Sequence, residues 1–127
     1  MHDNLTAQGS LALTEGILAD AGFTLTVGGN VSNSSVHSGA GRILLTGSTA
    51  QRSMGGDGSG EFGNLELDDA NGTVFTAAQT VNGTLTLSSG VMDINNFLLT
   101  LPTSAVVSVV SPSATTMIQV NAGVGAA

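Results

Sequence analysis

Residues 9–27, GSLALTEGILADAGFTLTV, lie over residues 83–101, GTLTLSSGVMDINNFLLTL, without a gap. Seven of nineteen positions are identical: Gly9/Gly83, Leu11/Leu85, Leu13/Leu87, Gly16/Gly90, Phe23/Phe97, Leu25/Leu99 and Thr26/Thr100. The matched apolar positions are spaced by two, which puts them on one side of an extended strand. The same alternation recurs in Ile43-Leu44-Leu45 and Leu65-Glu66-Leu67 between the copies. Each run is three to five residues long and is bounded by Gly, Asn, Ser or Asp. Short strands at close spacing with turn residues between them form an all-β chain. No window carries apolar residues at helical spacing, and the glycine and β-branched content opposes helix.

A repeated unit made of several short rungs fits a solenoid better than a sandwich. In a parallel β-helix each coil stacks on the last at about 4.8 Å, and inward residues of successive coils form continuous apolar ladders. Three short strands per coil need about 18–25 residues, so the chain is expected to hold five or six coils in a rod about 25–30 Å long. The alternative fold is a β-sandwich. The expected inward set is Leu11, Leu13, Phe23, Leu25, Val27, Ile43, Leu45, Leu65, Leu67, Leu85, Leu87, Phe97, Leu99 and Leu101. Thr24, Thr26, Thr84, Thr86 and Glu66 are expected outside.

Composition narrows the function. With 2 basic against 9 acidic residues and a net charge of −7, a surface that tracks phosphates is excluded. No apolar run reaches membrane-helix length, so membrane insertion is not expected. The absence of cysteine removes disulfides, thiolate metal sites and a cysteine nucleophile. An acidic, lysine-free surface rich in Gly, Ser, Thr and Asn is typical of secreted material. Asn-x-Ser/Thr matches at Asn4, Asn30, Asn33, Asn71 and Asn82 are expected by chance in such a chain.

The string TVNGTLTLSSGVMDINNFLLTL (80–101) resembles a repeat of large secreted surface proteins of the Bacteroidota. That repeat runs Thr-Val-Asn-Gly-Thr-Leu-Thr-Leu, then Ser-Gly-x-Leu-Asp-Leu-Asn-Gly, then x-Thr-Leu-Thr-Val-Gly-Gly-Asn-Val. FTLTVGGNVSNSS (23–35), GSGEFGNLELDDANG (58–72) and TTMIQVNAG (115–123) resemble its other rungs, so the likeness covers most of the chain. The resemblance implies a right-handed parallel β-helix in adhesin-like cargo of the type IX secretion route, and it brings no catalytic residues. Asp20 departs from it, standing where the second copy has Ile94 and the family usually has Leu. A lone buried carboxylate is costly, so this rung is expected to bend or open to water. Arg42 replaces a common outward Thr.

Candidate sites are few. His2 and His37 have no acidic partner at ligand spacing and read as solvent-exposed. The stretch GGDGSGEFG (55–63) is similar to a calcium-binding nonapeptide, but Gly60 occupies the required Asp position, so a flexible loop is expected. Glu66, Asp68, Asp69 and Asn71 form the densest anionic patch, either a weak calcium site or a solvated turn. A polysaccharide lyase or hydrolase would need a groove with paired carboxylates and a base or metal, and only Arg42 and Arg52 are basic. No catalytic, metal or cofactor residues are assigned.

The expectation is a non-enzymatic stalk or adhesive segment of a bacterial cell-surface protein or filament. The alternatives are a carbohydrate-binding or polysaccharide-processing β-helix and, more remotely, an ice-binding face built on Thr24/Thr26 and Thr84/Thr86. Residues 1–127 read as one solenoid segment of a longer repeat protein. Its expected partners are neighbouring rungs of that parent or other copies stacked end to end, with a glycan or other surface ligand.

Overall fold

The structure, a computed structural model, describes residues 1–120. The chain winds through successive triangular coils. The first holds β1 (Leu5–Ala7), β2 (Leu11–Leu13) and β3 (Ile17–Ala19). The second holds β4 (Thr24–Val27), β5 (Val31–Asn33) and β6 (Val36–Ser38). The third holds β7 (Arg42–Leu45), β8 (Arg52–Gly55) and β9 (Glu61–Phe62), and the fourth β10 (Leu65–Asp68), β11 (Thr73–Phe75) and β12 (Gln79–Val81). In the fifth, β13 (Thr84–Asp93) runs across a corner before β14 (Leu99–Thr100). Beyond it, β15 (Val106–Val109) and β16 (Thr116–Gln119) begin a further turn. No helix occurs among the described residues.

Every strand-to-strand pairing is parallel, which makes the fold a parallel β-helix and not a sandwich. The first face stacks β1, β4, β7, β10, the first half of β13 and β15. The second stacks β2, β5, β8, β11, the second half of β13 and β16. Because β13 spans both, these faces join in one 11-stranded sheet, while β3, β6, β9, β12 and β14 form a separate 5-stranded third face. β13 turns its corner at Gly90, whose φ is +92° and where a Cβ would strike the Asp69 carbonyl.

Alternation explains the core. On the first face Leu25, Ile43, Leu65 and Leu85 stand in one inward ladder, and Val27, Leu45, Leu67 and Leu87 in the next. All eight are buried. Met54, Phe62, Phe75, Val81 and Met92 fill the space from the other two faces. Thr24, Thr26, Thr84, Thr86 and Glu66 lie on the opposite side of their strands and are only partly covered.

Two expectations about the core are corrected. Phe97 and Leu101 are 41% and 37% exposed. They flank β14, the last third-face strand among the described residues, and no further described coil stacks over them. The spacing of 74 residues between the matched copies 9–27 and 83–101 also differs from the structural repeat. The ladder Leu5, Leu25, Ile43, Leu65, Leu85, Val107 advances in steps of 18 to 22 residues. Leu11 is on the second face and its match Leu85 is on the first, so the two copies are out of phase by one face.

Candidate functional site

The chemically capable side chains lie mostly at the corners. Where the third face meets the first, Asp20 follows β3 and points into the interior, with none of its surface exposed. Its Oδ1 accepts the Gly22 and Gly41 amides at 2.9 and 2.8 Å, and its Oδ2 is 2.8 Å from His37 Nε2. The expectation of a lone carboxylate in a bent, wet rung is therefore overturned. The cost of burial is offset because the carboxylate meets three donors. Burial pushes the Asp20 carboxyl up, but the two amides and His37 outweigh it and hold the group below the usual range.

His37, read from the sequence as solvent-exposed, is 1% exposed. It sits inward on β6 beside Leu18 of β3, with its ring edge toward Phe62 at a centroid distance of 6.5 Å. Its Nδ1 accepts the Gly63 amide at 3.1 Å. A nitrogen that accepts cannot carry a proton, so the proton resides on Nε2 and is donated to Asp20. Burial pushes the His37 pKa down, and the hydrogen bond and charge of Asp20 only partly restore it.

The corner between the first and second faces holds a second polar cluster. The Arg52 guanidinium is 1% exposed, and its Nη2 donates to Asp69 Oδ2 at 2.7 Å. Its Nη1 donates to the Val27 and Gly29 carbonyls at 2.7 and 3.2 Å. Asp69 also accepts the Ser48 amide and hydroxyl and the Asn71 amide. Burial raises its pKa, yet Ser48, Asn71 and Arg52 together hold the carboxyl down at about 2.

These contacts divide the anionic patch anticipated from the sequence. Glu66 lies on the outer side of β10, where Arg42 Nε is 3.2 Å away and the Ser88 hydroxyl donates at 2.6 Å. Asp68 accepts the Ser89 hydroxyl at 2.9 Å. Asp69 instead turns inward, and the Asn71 amide group donates to the Ser48 carbonyl. Among the described residues no three His, Cys, Asp or Glu side chains converge to hold a metal. The 55–63 stretch forms a turn held by side-chain hydrogen bonds. Asp57 Oδ1 accepts the Ser59 amide and hydroxyl, the Asp57 amide donates to the Ser34 hydroxyl, and the segment ends in β9.

On the outer side of the first face, Thr24, Arg42, Asn64, Glu66, Thr84 and Thr86 line a shallow groove of about 300 Å³. Asn64 fixes its floor, donating to the Gly41 carbonyl and accepting the Thr84 amide. Asn4 and Asn30 make the equivalent bond to the Thr24 and Ser53 amides one coil on. Asn33 is fully buried, with its amide spent on Glu61 O and Ser35 N.

The inward pairs are not legible from the local surroundings of either partner. The signal was present: Asp20 and His37, like Arg52 and Asp69, are separated by 17 residues, a little under one coil. No helix among the described residues is long and apolar enough to cross a membrane. Searches of protein-family models, curated proteins and solved structures found no match to the chain.

Proposed function

We propose that the chain is a non-enzymatic stalk or adhesive segment of an extracellular bacterial surface protein or filament. The observation that carries this reading is the placement of its reactive groups. Asp20, His37, Arg52 and Asp69 are sealed inside and hold the corners of a continuous parallel stack. Such a stack transmits load along its axis through backbone hydrogen bonds between coils. The likeness to secreted Bacteroidota repeats supports an extracellular setting and export by the type IX route.

Neighbouring coils of a longer chain, or a second copy, are the partners that the outermost described coils suit. Leu5 and Val107 belong to an inward ladder yet are 52% and 42% exposed. Surface labelling of intact cells should detect the chain outside the cell, and the purified chain should leave polysaccharides at full length. Confinement to the cytoplasm, or depolymerisation of a glycan, would overturn the reading.

The groove on the first face favours a second reading, carbohydrate binding. Arg42, Glu66 and the threonine hydroxyls offer donors and acceptors suited to sugar hydroxyls, although no aromatic ring lines the groove. Binding on a glycan array that is lost in Arg42→Ala would establish it. An ice-binding face is poorly supported, because the outward rank Thr6, Thr26, Leu44, Glu66, Thr86 is interrupted at its centre. Thermal hysteresis would revive it.

A further inference from the structure

We propose that Asp20, His37 and Gly63 form an acid-released latch that stitches successive coils together beneath the first-face groove. The latch runs along the corner between the third and first faces. Asp20 leaves β3, and its carboxylate receives the Gly41 amide of the next corner and His37 of β6. His37 in turn receives the amide of Gly63, one corner further along, between β9 and β10. Gly22, Gly41 and Asn64, which the latch positions or adjoins, line the groove.

The ring is wired for one protonation state. Its Nε2 faces an acceptor and its Nδ1 faces a donor, so a second proton would set Nδ1–H against the Gly63 N–H. Gly63 would lose its acceptor, and a buried cation would form beside Phe62. The attraction of Asp20 works in the other direction, but it is shared with the Gly22 and Gly41 amides.

On the β3 side the Met1 ammonium donates to the Ala19 carbonyl, next to Asp20. β6 itself carries no titratable side chain besides His37. From β9, the Glu61 carboxylate accepts the Asn82 side chain, and across the corner Arg42 pairs outside with Glu66. The downward displacement of the His37 pKa agrees with this wiring. An opened corner would expose an imidazole with a pKa of about 6.5. Below that pH the open form binds a proton that the closed form refuses, so acid favours opening.

Amide hydrogen exchange at Gly63 and Gly41, with ¹⁵N spectra of the His37 ring, tests the latch between pH 7.5 and 5. After correction for intrinsic exchange, the Gly63 opening constant should rise by up to about tenfold per pH unit below about 6.5. The ring of the closed form should remain the neutral Nε2–H tautomer at pH 7. His37→Gln keeps a donor for Asp20 and an acceptor for Gly63 but does not titrate, so its opening constant should be flat. The proposal is overturned if the ring takes its second proton above pH 6.5 while Gly63 stays protected. A pH-invariant opening constant in the wild type, or an unchanged pH dependence in His37→Gln, would equally overturn it. If the variant does not fold, the wild-type ring titration and Gly63 exchange decide the question alone.

Discussion

A buried charge in this chain is tolerated only where several partners converge on it, and Arg52 with Asp69 is the clearest instance. Removing one member leaves the other uncompensated in the interior, so Arg52→Met should cost about 3–5 kcal/mol in urea denaturation. Asp69 also gives the stability an acid limit. Its folded pKa of about 2 lies below the ordinary value of an aspartate side chain. Its contribution is therefore fully present above about pH 4 and is lost as pH falls toward 2. The shift corresponds to a loss on the order of 2 kcal/mol, readable from urea midpoints measured across that range. Thr73 shows the converse. Its hydroxyl is buried between Arg52 and Met92 with no hydrogen-bond partner among the described residues. Thr73→Val keeps the shape and removes an unsatisfied group, so it should stabilise the chain by about 1 kcal/mol.

Strands of three or four residues cannot hold themselves, and each is stable only between its neighbours in the stack. Leu25→Ala and Leu65→Ala remove side chains from the middle of a closed ladder and should each cost about 2–5 kcal/mol. Leu101→Ala should cost much less, since Leu101 is 37% exposed, and the same denaturation series will rank the three. At the corner within β13, Gly90 combines a positive φ with backbone contact. Gly90→Ala should therefore destabilise by more than 1 kcal/mol, with the loss centred on β13 and its partners β10 and β11.

For the molecule as a whole, stability is a sum over nearest-neighbour coils, so the middle should outlast the outermost described turns. Native-state hydrogen exchange should show the slowest amides in β7, β10 and the first half of β13. Amides of β1, β15 and β16 should exchange faster by orders of magnitude. Uniform protection along the axis would refute this picture. The exposed inward positions Leu5 and Val107 also make self-association measurable, because an end-to-end contact propagates instead of closing. Sedimentation over a concentration series should show growth beyond a dimer if second copies cover these edges. The Gly- and Ala-rich stretch 121–127 lies outside the described residues.

The sequence alone determined the period-two alternation, and with it the side of each first-face strand that enters the core. It also determined the coil length, because three short strands with their turns need about 18–25 residues. Leu25, Ile43, Leu65 and Leu85 were legible for this reason: alternation is a local property of the chain. Which face each run occupies was decided only by the tertiary structure, since corner lengths vary and each variation shifts everything after it. That is why the best self-match in the sequence is one face out of phase. The same dependence hid the polar interior. Asp20 and His37, and Arg52 and Asp69, stand 17 residues apart when read along the chain. They become partners only once stacking places one coil on the next and excludes water from the space between them.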